Sequence, residues 1–103
     1  MLRQLVEVMD NLERALVQPA EPAVLYQGVQ LTRMQLGKVL AQAGVERITV
    51  EPGEAFDPTY QDGVELRYGE VDQPTVAAVI QPGYLHENEL LRPASVVVVK
   101  PIN

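Results

Sequence analysis

The chain has no cysteine, no tryptophan and only one histidine among its 103 residues. The absence of cysteine excludes disulfides, thiolate zinc sites and cysteine nucleophiles, and it is typical of proteins that fold in a reducing compartment. No apolar run approaches the roughly 20 residues that a membrane-spanning helix needs. Residues 1–16 are amphipathic and carry acids, which argues against a signal or transit peptide. We therefore expect a cytoplasmic protein with no membrane partner.

The excess negative charge is confined to one part of the chain. The formal net charge is -6. Residues 1–44 contain four acids and four bases, whereas residues 45–103 contain ten acids and four bases. Because an acidic field repels phosphate backbones, nucleic acid is not expected as a partner.

Residues 1–44 have the apolar spacing of two helices. The segment from Pro19 to Pro22 separates them and predicts an antiparallel hairpin. Pro22 suits the first position of the second helix, and Gly44 suits the position just after its end. Ten apolar residues, spaced mostly three and four apart, form what we call the apolar seam: Leu2, Leu5, Met9, Leu12, Leu16, Leu25, Val29, Leu36, Val39 and Leu40.

The apolar seam predicts a homodimer. A hairpin has only one helical neighbour in its own chain, so two chains forming a four-helix bundle would bury the seams of both helices. The alternative is that the hairpin packs on the sheet of its own chain. A membrane-surface helix is less favoured, because the polar face is not enriched in Lys and Arg.

Residues 45–103 change to the pattern of short strands. The predicted fold class is therefore α+β, with a helical dimerisation hairpin in residues 1–44 and a compact β domain in residues 45–103. Four consecutive valines lack the alternation of a half-solvated strand, and a proline just before them interrupts the pattern. The predicted elements are strands at Val45–Val50, Val64–Tyr68 and Thr75–Gln81, a loop at 53–63, a turn at Pro82-Gly83, and a fourth strand broken into 90–91 and 95–100.

The acids of the predicted loop invite a metal or acid–base interpretation. Their spacing matches no metal-binding loop, so a solvated acidic loop is the favoured interpretation. These acids are Glu51, Glu54, Asp57 and Asp62.

The remaining polar and aromatic residues also give no case for catalysis. His86 falls in a predicted turn and has neither a second histidine for a metal nor a nucleophile for a triad. Tyr60, Tyr68 and Tyr84 could anchor an interface, although half-buried packing is favoured for each. We predict no enzyme activity, no metal and no cofactor.

Six short motifs follow one another along the chain: Asp10–Leu16, Gly28–Thr32, Gly44–Glu46, Phe56–Pro58, Gly83-Tyr84 and Leu91–Val96. Their order closely resembles the GrpE family, the nucleotide exchange factors of DnaK-type chaperones. The resemblance covers essentially the whole chain, and the segment from Gly83-Tyr84 onward is its most specific part.

The resemblance implies a partner and contact residues. The β domain of the family meets the nucleotide-binding domain of the chaperone and promotes ADP release. Matching positions suggest Ile80, Glu89 and Val98 as contacts, with Gly28 as a contact on the helical side. For Ile80 and Val98 the alternative is a place in the core.

The chain departs from the family pattern at three positions. Gln61 and Gly63 stand where the family usually has His and Ala, which we expect to affect the loop. Glu89 stands where Arg is common, so the alternative function is a dimerisation or scaffold module with weakened or lost exchange. Family members carry a disordered tail and a long paired helix before the first motif, and we expect this chain to be the portion that follows them.

Overall fold

The computed structural model describes residues 1–17 and 19–102. It divides the chain into two compact units, Met1–Gly44 and Val45–Asn103, which we call the helical unit and the β unit. Two helices come first and six strands follow. The predicted α+β class, with a helix hairpin before a small β domain, is confirmed.

The helical unit consists of α1 (Leu2–Val17) and α2 (Pro22–Gln42). Pro22 occupies the first turn of α2, where its missing N–H costs no helical hydrogen bond. Gly44 follows the helix with φ 84, and its N–H donates to the carbonyl oxygen of Ala41 at 3.0 Å. Both predicted ends of the second helix are confirmed.

The contact between α1 and α2 is small and partly polar. Val8 and Val39 are each 5% exposed. Beside them, Asn11 Nδ2 donates to Gln35 Oε1 at 2.6 Å, and this bond is partly buried. The hairpin therefore buries little apolar surface between its own two helices.

The β unit contains two three-stranded sheets. One has the order β1-β4-β5 and is antiparallel throughout, and the other has the order β2-β6-β3. The strands are β1 (Val45–Ile48), β2 (Gln61–Gly69), β3 (Thr75–Gln81), β4 (Gly83–His86), β5 (Glu89–Arg92) and β6 (Ala94–Pro101).

Strand β6 is the centre of its sheet, which explains its run of valines. It pairs with β2 in parallel and with β3 antiparallel. Val96, Val97 and Val98 are all at most 3% exposed. Because successive side chains point to opposite faces, both faces of the strand are covered here and no alternation is needed. The core cluster consists of Val76, Ala94, Val96 and Val98, with Val50 and Phe56 packed against it.

The region from Gly83 to Pro93 differs from the prediction. Gly83 is not in a turn but begins β4, and His86 ends that strand instead of lying in a turn. The turn is only Glu87-Asn88, with φ 49 and 69, as in a type I′ hairpin. The strand predicted as broken is two strands of different sheets, β5 and β6, which meet at Pro93.

Candidate functional site

Most of the apolar seam is exposed to solvent. Leu16 is 86% exposed and Met9 is 54% exposed, and Val39 is the one buried member of the seam. Val39 packs inside the hairpin, so it is not available as a surface contact of a dimer. The exposed members are Leu2, Met9, Leu12, Leu16, Leu25 and Val29, and the half-buried ones are Leu5, Leu36 and Leu40.

The seam of α1 is distinct from the face that contacts α2. Val8 and Asn11 make the hairpin contact. Around the helix, Val8 lies about a quarter turn, and Asn11 more than about a third of a turn, from the mean direction of the seam residues of α1. Sequence reasoning missed this polar face, because the stronger leucine periodicity dominates the pattern. The helical unit therefore keeps an apolar stripe that its own hairpin does not use.

Gly28 lies in an open groove between α1 and α2. The groove has a volume of about 480 Å³. A Cβ at Gly28 would meet nothing within 4 Å, and its carbonyl oxygen accepts a hydrogen bond from Thr32 Oγ1 at 2.9 Å. The lining residues are Asn11, Arg14, Ala15, Ala20, Val24, Leu25, Gly28, Leu31, Thr32 and Gln35.

The three contact candidates of the β unit do not share one environment. Ile80 is 59% exposed on β3, and Glu89 is exposed at the start of β5 in the other sheet. Val98 is 3% exposed and stands opposite Val76 within the core cluster. Val98 therefore lies in the core, which is the alternative named above, and its side chain offers almost no surface to a partner.

The β1-β4-β5 sheet is tied to the Pro82 junction by Arg92. The Arg92 guanidinium lies over the Tyr84 ring, 5.4 Å from its centroid, and its Nε donates to the carbonyl oxygen of Pro82 at 3.0 Å. Sequence reasoning missed this contact because it depends on the register that places Tyr84 opposite Arg92. The contact lies at the open end of the β4-β5 hairpin, whereas Glu89 pairs with His86 at the other end, beside the turn.

One acid of the predicted loop, Asp57, takes part in the local structure. Asp57 Oδ1 accepts from the Thr59 N–H at 3.0 Å, and the buried Gln61 side chain accepts from the Asp57 N–H at 3.0 Å. Gln61 thus shapes the loop through its side chain. Gly63 is closely packed, because an added Cβ would stand 3.0 Å from Val98 Cγ2.

Neither a metal site nor a membrane span emerges from residues 1–17 and 19–102. His86 is half-exposed and lies 4.0 Å from a Glu87 carboxylate oxygen. Across the described chain, no three His, Cys, Asp or Glu side chains are placed to hold a metal ion. Neither described helix is long and apolar enough to cross a membrane.

Comparison with known proteins places both units in one family. The sequence model of the GrpE family matches residues 1–100. Protein GrpE of Thermus thermophilus is 44% identical over 98 residues, which cover 94% of this chain and 54% of the relative. Protein GrpE of Latilactobacillus sakei is 40% identical over 100 residues, covering 95% and 50%. Protein GrpE of Thermotoga maritima is 36% identical over 103 residues, covering 98% and 59%. The chain thus spans only about half the length of the relatives that it matches.

Proposed function

The chain belongs to the GrpE family, and on that basis we propose that it promotes ADP release from a DnaK-type chaperone. The β unit binds the nucleotide-binding domain of the chaperone, and the helical unit forms a homodimer in the cytoplasm. The observation that carries the proposal is the extent of the family match, which runs through both units from residue 1 to residue 100.

Exchange of this kind needs no catalytic side chain or cofactor in the factor. If the β unit binds an open nucleotide-binding domain better than a closed one, it shifts the chaperone toward the open state. ADP then loses affinity by the same coupling factor. Each tenfold loss of ADP affinity corresponds to about 1.4 kcal/mol of differential binding. ATP binding to the chaperone would then displace the factor.

Ile80 and Glu89 are the proposed chaperone contacts of the β unit. Their exposure supports this role, because an exposed isoleucine on an edge strand can be buried by a partner without disturbing the core. Gly28 is the proposed contact of the helical unit, since its open groove leaves the α2 backbone accessible. We propose that Val98 acts only from within the core, by supporting the sheet that presents Ile80.

The direct test is the release rate of a fluorescent ADP analogue from a DnaK-type chaperone, with and without the chain. We expect the chain to accelerate release. Ile80→Asp should raise the concentration of the chain that is needed for half-maximal acceleration at least about tenfold. The matched control is Tyr68→Asp, which places the same charge at a 67% exposed position on the opposite edge strand. Equal loss in both variants would remove Ile80 from the interface.

The scaffold alternative rests on the charge of Glu89. Restoring the common family residue with Glu89→Arg separates the two functions. A large gain in chaperone affinity and exchange means that the site of this chain is weakened or retuned. No change would show that position 89 is peripheral to binding. The chain could be folded and dimeric and still fail to accelerate ADP release, both with Glu89 and with Arg at this position. That result would contradict the exchange function and favour the scaffold function.

The homodimer is supported by the exposed apolar seam. Met9→Asp would place a charge within the seam and should raise the dimer dissociation constant at least about tenfold. Met34→Asp is the control, because Met34 is 59% exposed, close to the 54% of Met9, but faces about half a turn away from the seam on α2. Sedimentation equilibrium gives both constants. A monomeric parent chain, or equal weakening by both variants, would argue against the proposed seam.

A further inference from the structure

Strand β2 leaves a long hydrogen-bonding edge open. It runs for nine residues, from Gln61 to Gly69, and lies at the outside of the β2-β6-β3 sheet. Within the described part of the β unit, β6 is the only strand with which it pairs. Edge strands present unpaired backbone N–H and C=O groups that can pair with another extended chain.

The side chains of β2 separate into an apolar row and a charged row. The apolar row consists of Val64, Leu66 and Tyr68, which are 52%, 48% and 67% exposed. Leu66 and Tyr68 stand on one face, opposite Val98 and Lys100 of β6, and Val64 lies at a register irregularity between Gly63 and Glu65. Glu65 and Arg67 lie on the other face and form an ion pair at 3.2 Å. An added strand would therefore find an apolar row on one face, where its own alternate side chains could pack across the strands.

The charge around this edge is negative. Asp62 and Glu65 lie on β2, and Glu70 and Asp72 follow it, with Arg67 as the only base of the segment 61–73. The β unit as a whole has ten acids and four bases. A basic segment would gain from this field, whereas an acidic one would be repelled.

We propose that the β2 edge binds an extended, basic and apolar segment of another polypeptide by strand addition. Backbone hydrogen bonds would supply affinity and the apolar row would select alternate apolar side chains. A second copy of β2 is not the proposed occupant, because pairing two such edges would bring four or more carboxylates together. The proposal uses the edge opposite Ile80 and does not depend on the exchange function.

The test uses the intact chain and a labelled peptide of nine residues, the length of β2, in which lysine alternates with valine. We expect fluorescence anisotropy to report saturable binding that weakens as salt is added. A peptide with glutamate in place of lysine should bind at least about tenfold more weakly. Hydrogen exchange should slow at the amides of residues 61–69 when the lysine peptide binds.

Two variants assign the binding to this edge. Val64→Thr combined with Tyr68→Thr removes most of the apolar row while keeping strand-forming residues, and should weaken the lysine peptide about fivefold. Ile80→Thr makes the same kind of change on the other edge strand and should leave peptide binding unchanged. Three outcomes would each overturn the proposal. The lysine peptide could bind without protecting residues 61–69, both peptides could bind equally well, or the chain could self-associate in a way that the double variant abolishes.

Discussion

Gly83 on β4 stands in close contact with the backbone at the start of β6, and Gly83→Ala should be severely destabilising. An added Cβ would lie 2.5 Å from Ala94 N, 2.8 Å from the carbonyl carbon of Pro93 and 2.8 Å from Ile48 Cδ1. Ordinary contact begins at 3.4 Å, and two of these three atoms belong to the backbone and cannot rotate away. Overpacking costs about 1–3 kcal/mol when neighbours can adjust, so we expect at least about 3 kcal/mol here.

This loss can be measured by urea unfolding of the β unit. Three of the four tyrosines lie in the β unit and one, Tyr26, lies in α2, so near-ultraviolet circular dichroism follows mainly the β unit. Far-ultraviolet circular dichroism follows mainly the helices. With a slope near 1 kcal/mol per molar urea, the midpoint of the β unit should fall by about 3 M. Gly69→Ala is the matched control, because its Cβ would meet only the Val99 Cγ1 methyl, at 3.0 Å, which can rotate. Similar midpoints for the two variants would refute the argument from backbone obstruction.

Two further substitutions should stabilise the chain. Gly37→Ala replaces a glycine inside α2, where a Cβ would meet nothing within 4 Å. Thermal unfolding should show that the free energy of unfolding of the helical unit rises by about 0.5–1 kcal/mol. A decrease would contradict the open space at this position. Glu87→Asn replaces a residue at φ 49 with one that tolerates this conformation, so urea unfolding should show that the β unit becomes more stable by about 0.5–1 kcal/mol. The control is Glu70→Asn, where φ is not positive and no stabilisation is expected. Equal stabilisation by both variants would contradict the argument from backbone strain.

The elements that could be predicted from the sequence are those with strong local signals. The leucine periodicity, the proline at the start of α2 and the glycine after its end each act within a few residues, and the hairpin follows from them. The strand that the sequence predicts at Thr75–Gln81 has the same bounds in the structure. A local signal, the proline at position 93, also predicts the break between residues 90–91 and residues 95–100.

The elements that could not be predicted depend on pairing between distant residues. Gly83 suggests a turn by its local preference, but the register with Ile48 and the approach of Ala94 place it in a strand. Likewise, Val98 and Ile80 are both aliphatic residues of predicted strands, and their positions at the centre and at the edge of a sheet make one buried and the other exposed. Contact residues inferred by position in a motif therefore need the exposure of each side chain before they can be assigned.

The distribution of charge separates the two proposed interactions. The helical unit has equal numbers of acids and bases, so its apolar seam can associate with a second copy without net repulsion. The β unit carries the whole excess of six negative charges, and Glu89 adds to it at a proposed contact. Salt screens interactions between exposed charges over about 8–10 Å. Added salt should thus change the association of the β unit with a charged chaperone surface much more than it changes the dimer. If both respond equally, the charge of the β unit does not steer binding and Glu89 loses its proposed role.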